Sequence, residues 1–139
     1  MIPTGRQTLY LFPDRILVVD STGVGAVSYS ELAVQIDTSR FVEDEGVPND
    51  AQVVDRTWRY VNKSGGPDRR FANNRELPVC LYEEFRITSG RGLNELLQFS
   101  RCGVGACLEK AMRKVAHFIQ NRQRTPNKQP VANRPMKKP

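Results

Sequence analysis

The hydrophobic period of this chain changes once, near residue 103, and the change divides it into strands followed by one helix. Before it, Leu32, Val34 and Ile36 alternate with Glu31, Ala33, Gln35 and Asp37, while Val79, Leu81, Phe85 and Ile87 share one parity with Glu83 as the exception. A period of two belongs to strands with one buried face. After it, Val104, Leu108, Ala111, Met112, Val115 and Ile119 recur at i, i+4 and i+7, the stripe of an amphipathic helix. That helix is expected over about residues 104–120, roughly 25 Å in length. The expected fold class is α+β and mainly β: a small antiparallel barrel or sandwich plugged by one C-terminal amphipathic helix.

Turn chemistry places the strands. Pro13-Asp14 separates Thr8–Phe12 from Arg15–Asp20, and Ser21-Thr22-Gly23 leads into Val24–Tyr29. With Leu32–Asp37, these runs read as an antiparallel meander through residues 8–37. Phe41–Asp50 is acidic, interrupted by Gly46 and Pro48, and reads as loop. Ala51–Val54 and Thr57–Val61 are expected as short strands, Asn62–Glu76 as a long loop around Ser64-Gly65-Gly66-Pro67-Asp68, and Pro78–Thr88 and Leu93–Ser100 as further strands.

The 139 residues match one domain, expected over residues 1–120. A body of this size buries roughly 65% of its unfolded surface, enough to fold without disulfides or metal. From Asn121 onward only Val131, Ala132 and Met136 are apolar, and Pro126, Pro130, Pro135 and Pro139 remove donors and fix φ. Residues 121–139 are therefore expected to be a disordered basic tail. It carries Arg122, Arg124, Lys128, Arg134, Lys137 and Lys138 and no acid, which accounts for the whole formal charge of +6 and leaves residues 1–120 neutral. The basic pI of 9.5 thus describes an appendage: a solubilising or linker segment, or a loose contact for polyanions.

Three cysteines, Cys80, Cys102 and Cys107, are too few for a secreted disulfide framework. The N-terminus lacks a basic-then-apolar leader, and no apolar run approaches the ~20 residues of a membrane span. A cytoplasmic location is expected. Because the first strand pattern starts so soon after Met1, the chain also reads as a domain cut from a longer parent.

The opening LYLFPDRILVVD, the following VGAVSYSEL, and LNELLQFSR leading into the helix give an element order that resembles bacterial pleckstrin-homology-like domains over roughly residues 8–120. The stretch TWRYVNKSGGPDRRFANNRELPV departs from that pattern and resembles a motif of a bacterial domain family with no activity attached to it. The resemblance implies an adaptor or assembly module rather than an enzyme.

Reactive groups are sparse. Cys102-x₄-Cys107 with Cys80 and His117 lacks the tight C-x₂-C pair of structural zinc sites, and the helical wheel turns Cys107 inward, so core or surface thiols are expected and no metal or cofactor. The one histidine lies on the basic face of the helix, and no nucleophile sits on a sharp strand-to-helix turn. Gly103-Val104-Gly105 precedes no Gly-Lys-Ser/Thr and reads as a tight helix entry. Glu83 and Glu84 point to opposite faces of a strand and cannot work as an acid–base pair.

The candidate site is the segment from Arg56 to Arg75. It holds Arg56, Arg59, Lys63, Arg69, Arg70 and Arg75 against one acid, Asp68, interleaved with Trp58, Tyr60 and Phe71 and with Asn62, Asn73 and Asn74. Arginine forks bind carboxylates or phosphates, and aromatic faces stack. Two structural arrangements compete: a ligand surface, or an internal clasp with the acidic loop Glu43–Asp50. The leading functional expectation is a non-enzymatic binding module that contacts a protein partner or a neighbouring domain. The alternative is polyanion binding, in which the same segment, the helix face Lys110/Arg113/Lys114 and the tail residues Arg122, Arg124 and Lys128 track a nucleic-acid backbone. An anionic membrane surface is a weaker third, since acids nearly match bases and no apolar anchor stands out.

Overall fold

The structure, a computed structural model, describes residues 1–124. It is mainly β, with two four-stranded antiparallel sheets and one C-terminal helix. Strands β1 (Ile2–Thr4), β2 (Gln7–Leu11), β3 (Ile16–Asp20) and β4 (Gly23–Val27) form the first sheet as a simple meander. The second contains β5 (Leu32–Val42), β6 (Gln52–Trp58), β7 (Glu76–Ser89) and β8 (Asn94–Phe99), and helix α1 spans Val104–Arg124.

The barrel alternative is corrected: the sheets do not close on each other. The expected meander through residue 37 ends at Val27, because Ser28 caps a 3-10 turn over Tyr29–Glu31 with a reciprocal Glu31 bond to its backbone, and the chain leaves the first sheet there. At the other end, β1 lies beside β8 without pairing to it. β1 is three residues long and contains Pro3, which lacks a donor.

Strand β7 organises the second sheet. Its fourteen residues extend about 45 Å. β5 pairs along one edge from Val42↔Val79 to Leu32↔Ser89. The opposite edge is shared end to end, by β6 against Glu76–Leu81 and by β8 against Glu83–Thr88. β5 therefore runs five residues beyond the expected Asp37, and in place of separate strands over Ala51–Val54 and Thr57–Val61 there is one, β6, with a register shift between Val53 and Asp55 and an end at Trp58. The core lies between the sheets and α1: Leu9, Ile16, Tyr29, Phe85, Ile87, Leu93 and Met112 are buried together.

Glu83 explains the break in the parity of β7. It faces inward with 5% of its surface exposed, and its carboxylate accepts the Gly105 backbone N–H at 2.6 Å. The first turn of α1 contains no acid, and Gly103 before it offers no capping side chain. The cap comes instead from the sheet. A Cβ on Gly105 would stand 3.0 Å from Phe85 Cδ2 and 3.1 Å from Glu83 Oε2, so a side chain there fits only if both groups give by a few tenths of an ångström.

The helix runs four residues past the expected end at 120, so Asn121, Arg122 and Arg124 are helical rather than tail. Cys107, expected inward, is exposed, as is Ala111; Leu108, Met112, Val115 and Ile119 carry the contact. The expected disorder at residues 125–139, including Lys128, lies outside the described residues.

Gly105→Ala is expected to lower stability by about 1–3 kcal/mol through overpacking, although alanine is favoured in a helix interior by ~1 kcal/mol. Glu83→Gln, which weakens a charged hydrogen bond to a neutral one, is expected to cost about 1–2 kcal/mol. Urea unfolding followed by far-ultraviolet circular dichroism measures both, and an unchanged or raised midpoint for Gly105→Ala would contradict the overpacking.

Candidate functional site

Beyond Trp58 and Glu76, the last pair of the β6–β7 ladder, the chain makes an excursion over residues 59–75. One further backbone bond, from Arg59 N–H to Arg75 O at 2.9 Å, places these two arginines opposite each other. Like charges across a ladder repel. Asp44, just past β5, lies between them: Arg75 Nη2 donates to its Oδ1 at 2.5 Å and to its carbonyl at 2.6 Å, and Arg59 Nη2 stands 3.7 Å from Oδ2. The Arg75 hydrogen bond holds the Asp44 carboxyl below its ordinary value of 3.8.

Asn74 then replaces a strand residue. Its side-chain Oδ1 accepts from Tyr60 N–H at 3.0 Å, and its Nδ2 donates to Tyr60 O at 2.7 Å, so one amide satisfies both backbone groups. The tip is a tight turn with Gly65 at φ +85°, a conformation suited to glycine. Asn62 Oδ1 closes it by accepting from Ser64 N, Ser64 Oγ and Gly66 N. Asp68 is buried and accepts from Arg70 Nε and Nη2, the shorter at 2.6 Å, which lowers its pKa. These bonds define an excursion ordered by its own polar groups.

Tyr60 and Phe71 stack within it, with ring centroids 4.0 Å apart and planes 14° from parallel, and the Arg59 guanidinium lies 5.8 Å from the Tyr60 centroid. Burial does not explain the stack, since Tyr60, Val61 and Phe71 remain 38%, 47% and 43% exposed.

The candidate residues thus divide. Arg59 and Arg75 share Asp44, Arg70 is held by Asp68, and Arg56 pairs with Glu76 at 3.3 Å. Asn62 and Asn74 serve the loop's own geometry. Trp58 is half-buried in β6. Lys63 and Arg69 are exposed and form no ion pair among the described residues. Within the acidic loop only Asp44 meets these arginines; Glu43 accepts a bond from Tyr82 Oη, raising that phenol to about 12, and Asp50 accepts from Ser100.

The polyanion set lies elsewhere. α1 begins beside Glu83 at the middle of β7 and packs over Phe85, Ile87 and Tyr29, toward the Ser89 end. The 59–75 excursion leaves from Glu76, at the opposite end. On the helix, Lys110 and Lys114 are exposed, Arg113 is paired with Glu109 at 2.6 Å, and Arg122 lies over the Phe118 ring at 5.6 Å.

The remaining reactive groups are dispersed. Cys80 is fully buried, its thiol pushed up by burial and by Glu43, on a face where Phe41 and Val53 flank it through the register. Cys102 and Cys107 are exposed. Among the described residues no group of three or more His, Cys, Asp or Glu side chains is placed to hold a metal ion, and no helix is long and apolar enough to cross a membrane. Several exposed apolar residues are not singled out by the sequence, among them Phe12, Phe41, Val53, Val61 and Phe118; for Phe118 the available signal is its place off the i, i+4, i+7 stripe. Comparisons of the chain with protein-family models, with curated proteins and with solved structures find no match.

Asp44→Asn should loosen the excursion without unfolding the body: amide exchange over residues 59–75 is expected to accelerate while Phe85 and Ile87 stay protected. The pH dependence has a definite sign. A carboxyl whose folded pKa is depressed stabilises the fold above its unfolded pKa and loses that contribution as pH falls through the folded value. The Asp44 clasp should therefore persist to below pH 3.8 and open under stronger acid. Trp58, the one tryptophan, reports the opening by fluorescence; a transition completed above that pH would contradict the assignment.

Proposed function

We propose that this protein is a non-enzymatic binding module whose partner-contacting surface is the 59–75 excursion, and that the partner is another protein or a neighbouring domain. The observation that carries this reading is the exposure of the Tyr60–Phe71 stack on an internally bonded loop. Long loops in compact domains are uncommon unless they function or are disordered. Here Asn62, Asn74, Asp68 and Asp44 each hold part of the loop in place, while its aromatic groups face solvent. Rigid, exposed aromatic side chains lose little entropy on binding and are enriched at interface hot spots. The adaptor reading also draws on the resemblance of the sequence's element order to bacterial pleckstrin-homology-like domains, which would make this chain an assembly module.

Polyanion binding has less support. Its three basic regions would need to lie along one track, whereas the helix face and the excursion are at opposite ends of β7, and three of the excursion's four arginines, Arg59, Arg70 and Arg75, are occupied by carboxylates.

Affinity recovery from native extract with the full chain as bait tests the proposal. Phe71→Ala is expected to reduce recovery of a specific partner about tenfold or more, with the unfolding midpoint nearly unchanged. The Lys110→Glu/Lys114→Glu variant should recover the partner as the parent chain does. Equal recovery by Phe71→Ala, or loss confined to the helix variant, would overturn it.

A further inference from the structure

We infer that the partner segment taken up by the 59–75 surface is acidic: carboxylate side chains flanking an apolar one. This rests on the docking reading above and specifies its chemistry. The surface keeps a positive surplus after its own ion pairs are formed. Arg56 is matched by Glu76 and Arg70 by Asp68, but Arg59 and Arg75 divide one carboxylate, and Lys63 and Arg69 have none among the described residues. Both unpaired cations belong to the loop that presents the stack, Lys63 three residues from Tyr60 and Arg69 two residues from Phe71. A ligand matching this surface puts an apolar group against the exposed parts of the rings and carboxylates on either side of it.

The same geometry favours an acidic peptide over a nucleic acid. Single-stranded bases bind by stacking on free aromatic faces. Tyr60 and Phe71 have used one face each on one another at 4.0 Å, and the Arg59 guanidinium lies beside the Tyr60 ring.

The test titrates three probes into isotope-labelled full-length chain and follows amide chemical shifts. The first is a short synthetic peptide of glutamates around a central phenylalanine; the second replaces every glutamate by glutamine; the third is oligothymidylate. The glutamate peptide is expected to shift residues 59–75, to weaken with added salt, and to lose about tenfold or more in affinity in the Lys63→Glu/Arg69→Glu variant. Both substituted side chains are exposed and unpaired, so the variant's unfolding midpoint should match the parent's.

If the glutamine peptide binds the loop equally well, the acidic chemistry is overturned while the docking surface stands. Tighter binding of oligothymidylate at residues 59–75 overturns the inference in favour of a nucleic acid. Shifts confined to Lys110 and Lys114, or no shift with the glutamate peptide, also overturn it, and the docking surface is then judged by the Phe71→Ala recovery alone.

Discussion

The buried carboxylate of Glu83 determines how the two ends of this chain meet. A carboxylate on the core face of a sheet costs several kcal/mol unless its oxygens are hydrogen-bonded. A helix starting after glycine, without an acid in its first turn, leaves N–H groups unsatisfied. Each element lacks what the other supplies, and the bond between Glu83 and Gly105 joins them. Gly105 allows the approach because any side chain would meet Phe85 and the carboxylate itself. The start of α1 is thereby set at the middle of β7, and the helix continues over Phe85, Ile87 and the 3-10 turn. The other half of β7 extends beyond the helix.

That other half is stabilised differently. Between Arg59 and Phe71 there is little apolar burial and a dense set of local polar bonds. Asp44 offsets a repulsive arginine pair, one Asn74 amide continues the ladder, and Asn62 takes up the donors of the turn. Exposed ion pairs contribute modestly to global stability, so their effect is local: they select one conformation of the loop. Because none of these groups reaches the core cluster around Phe85, substitutions in the loop and in the core should act nearly independently.

The periodic elements were legible because packing imposed the period. Leu32, Val34 and Ile36 alternate as sheet residues must, and Leu108, Met112, Val115 and Ile119 recur as a packed helix requires. Departures arose where a non-local partner overrode the pattern. Glu83 was visible as a break in parity, but nothing nearby in sequence named Gly105 as its partner. β5 was cut short because Thr38, Ser39 and Arg40 interrupt the apolar alternation, while its ladder with β7 continues regardless. The helix is expected to end at Gln120 because the apolar stripe stops there, yet backbone bonding carries helices past their packed stripe. For the site, the basic-aromatic segment was evident from composition. Its division into paired and unpaired cations was not, since the deciding residue, Asp44, is thirty-one positions from Arg75.

That division changes what the basicity of the segment means. Six cations against one acid reads as a strongly positive strip, the composition of a phosphate-binding surface. Once Glu76, Asp68 and Asp44 have taken up Arg56, Arg70 and the Arg59–Arg75 pair, those arginines act mainly as structural groups that hold the loop closed. The cations left without a carboxylate among the described residues are Lys63 and Arg69, on the same loop as a stacked aromatic pair that stays partly exposed. Two exposed cations and a partly exposed aromatic pair on one loop match a protein interface in composition more than a counterion-exchanging groove. The arginines that make the segment conspicuous in the sequence are chiefly those that position the less conspicuous residues beside them.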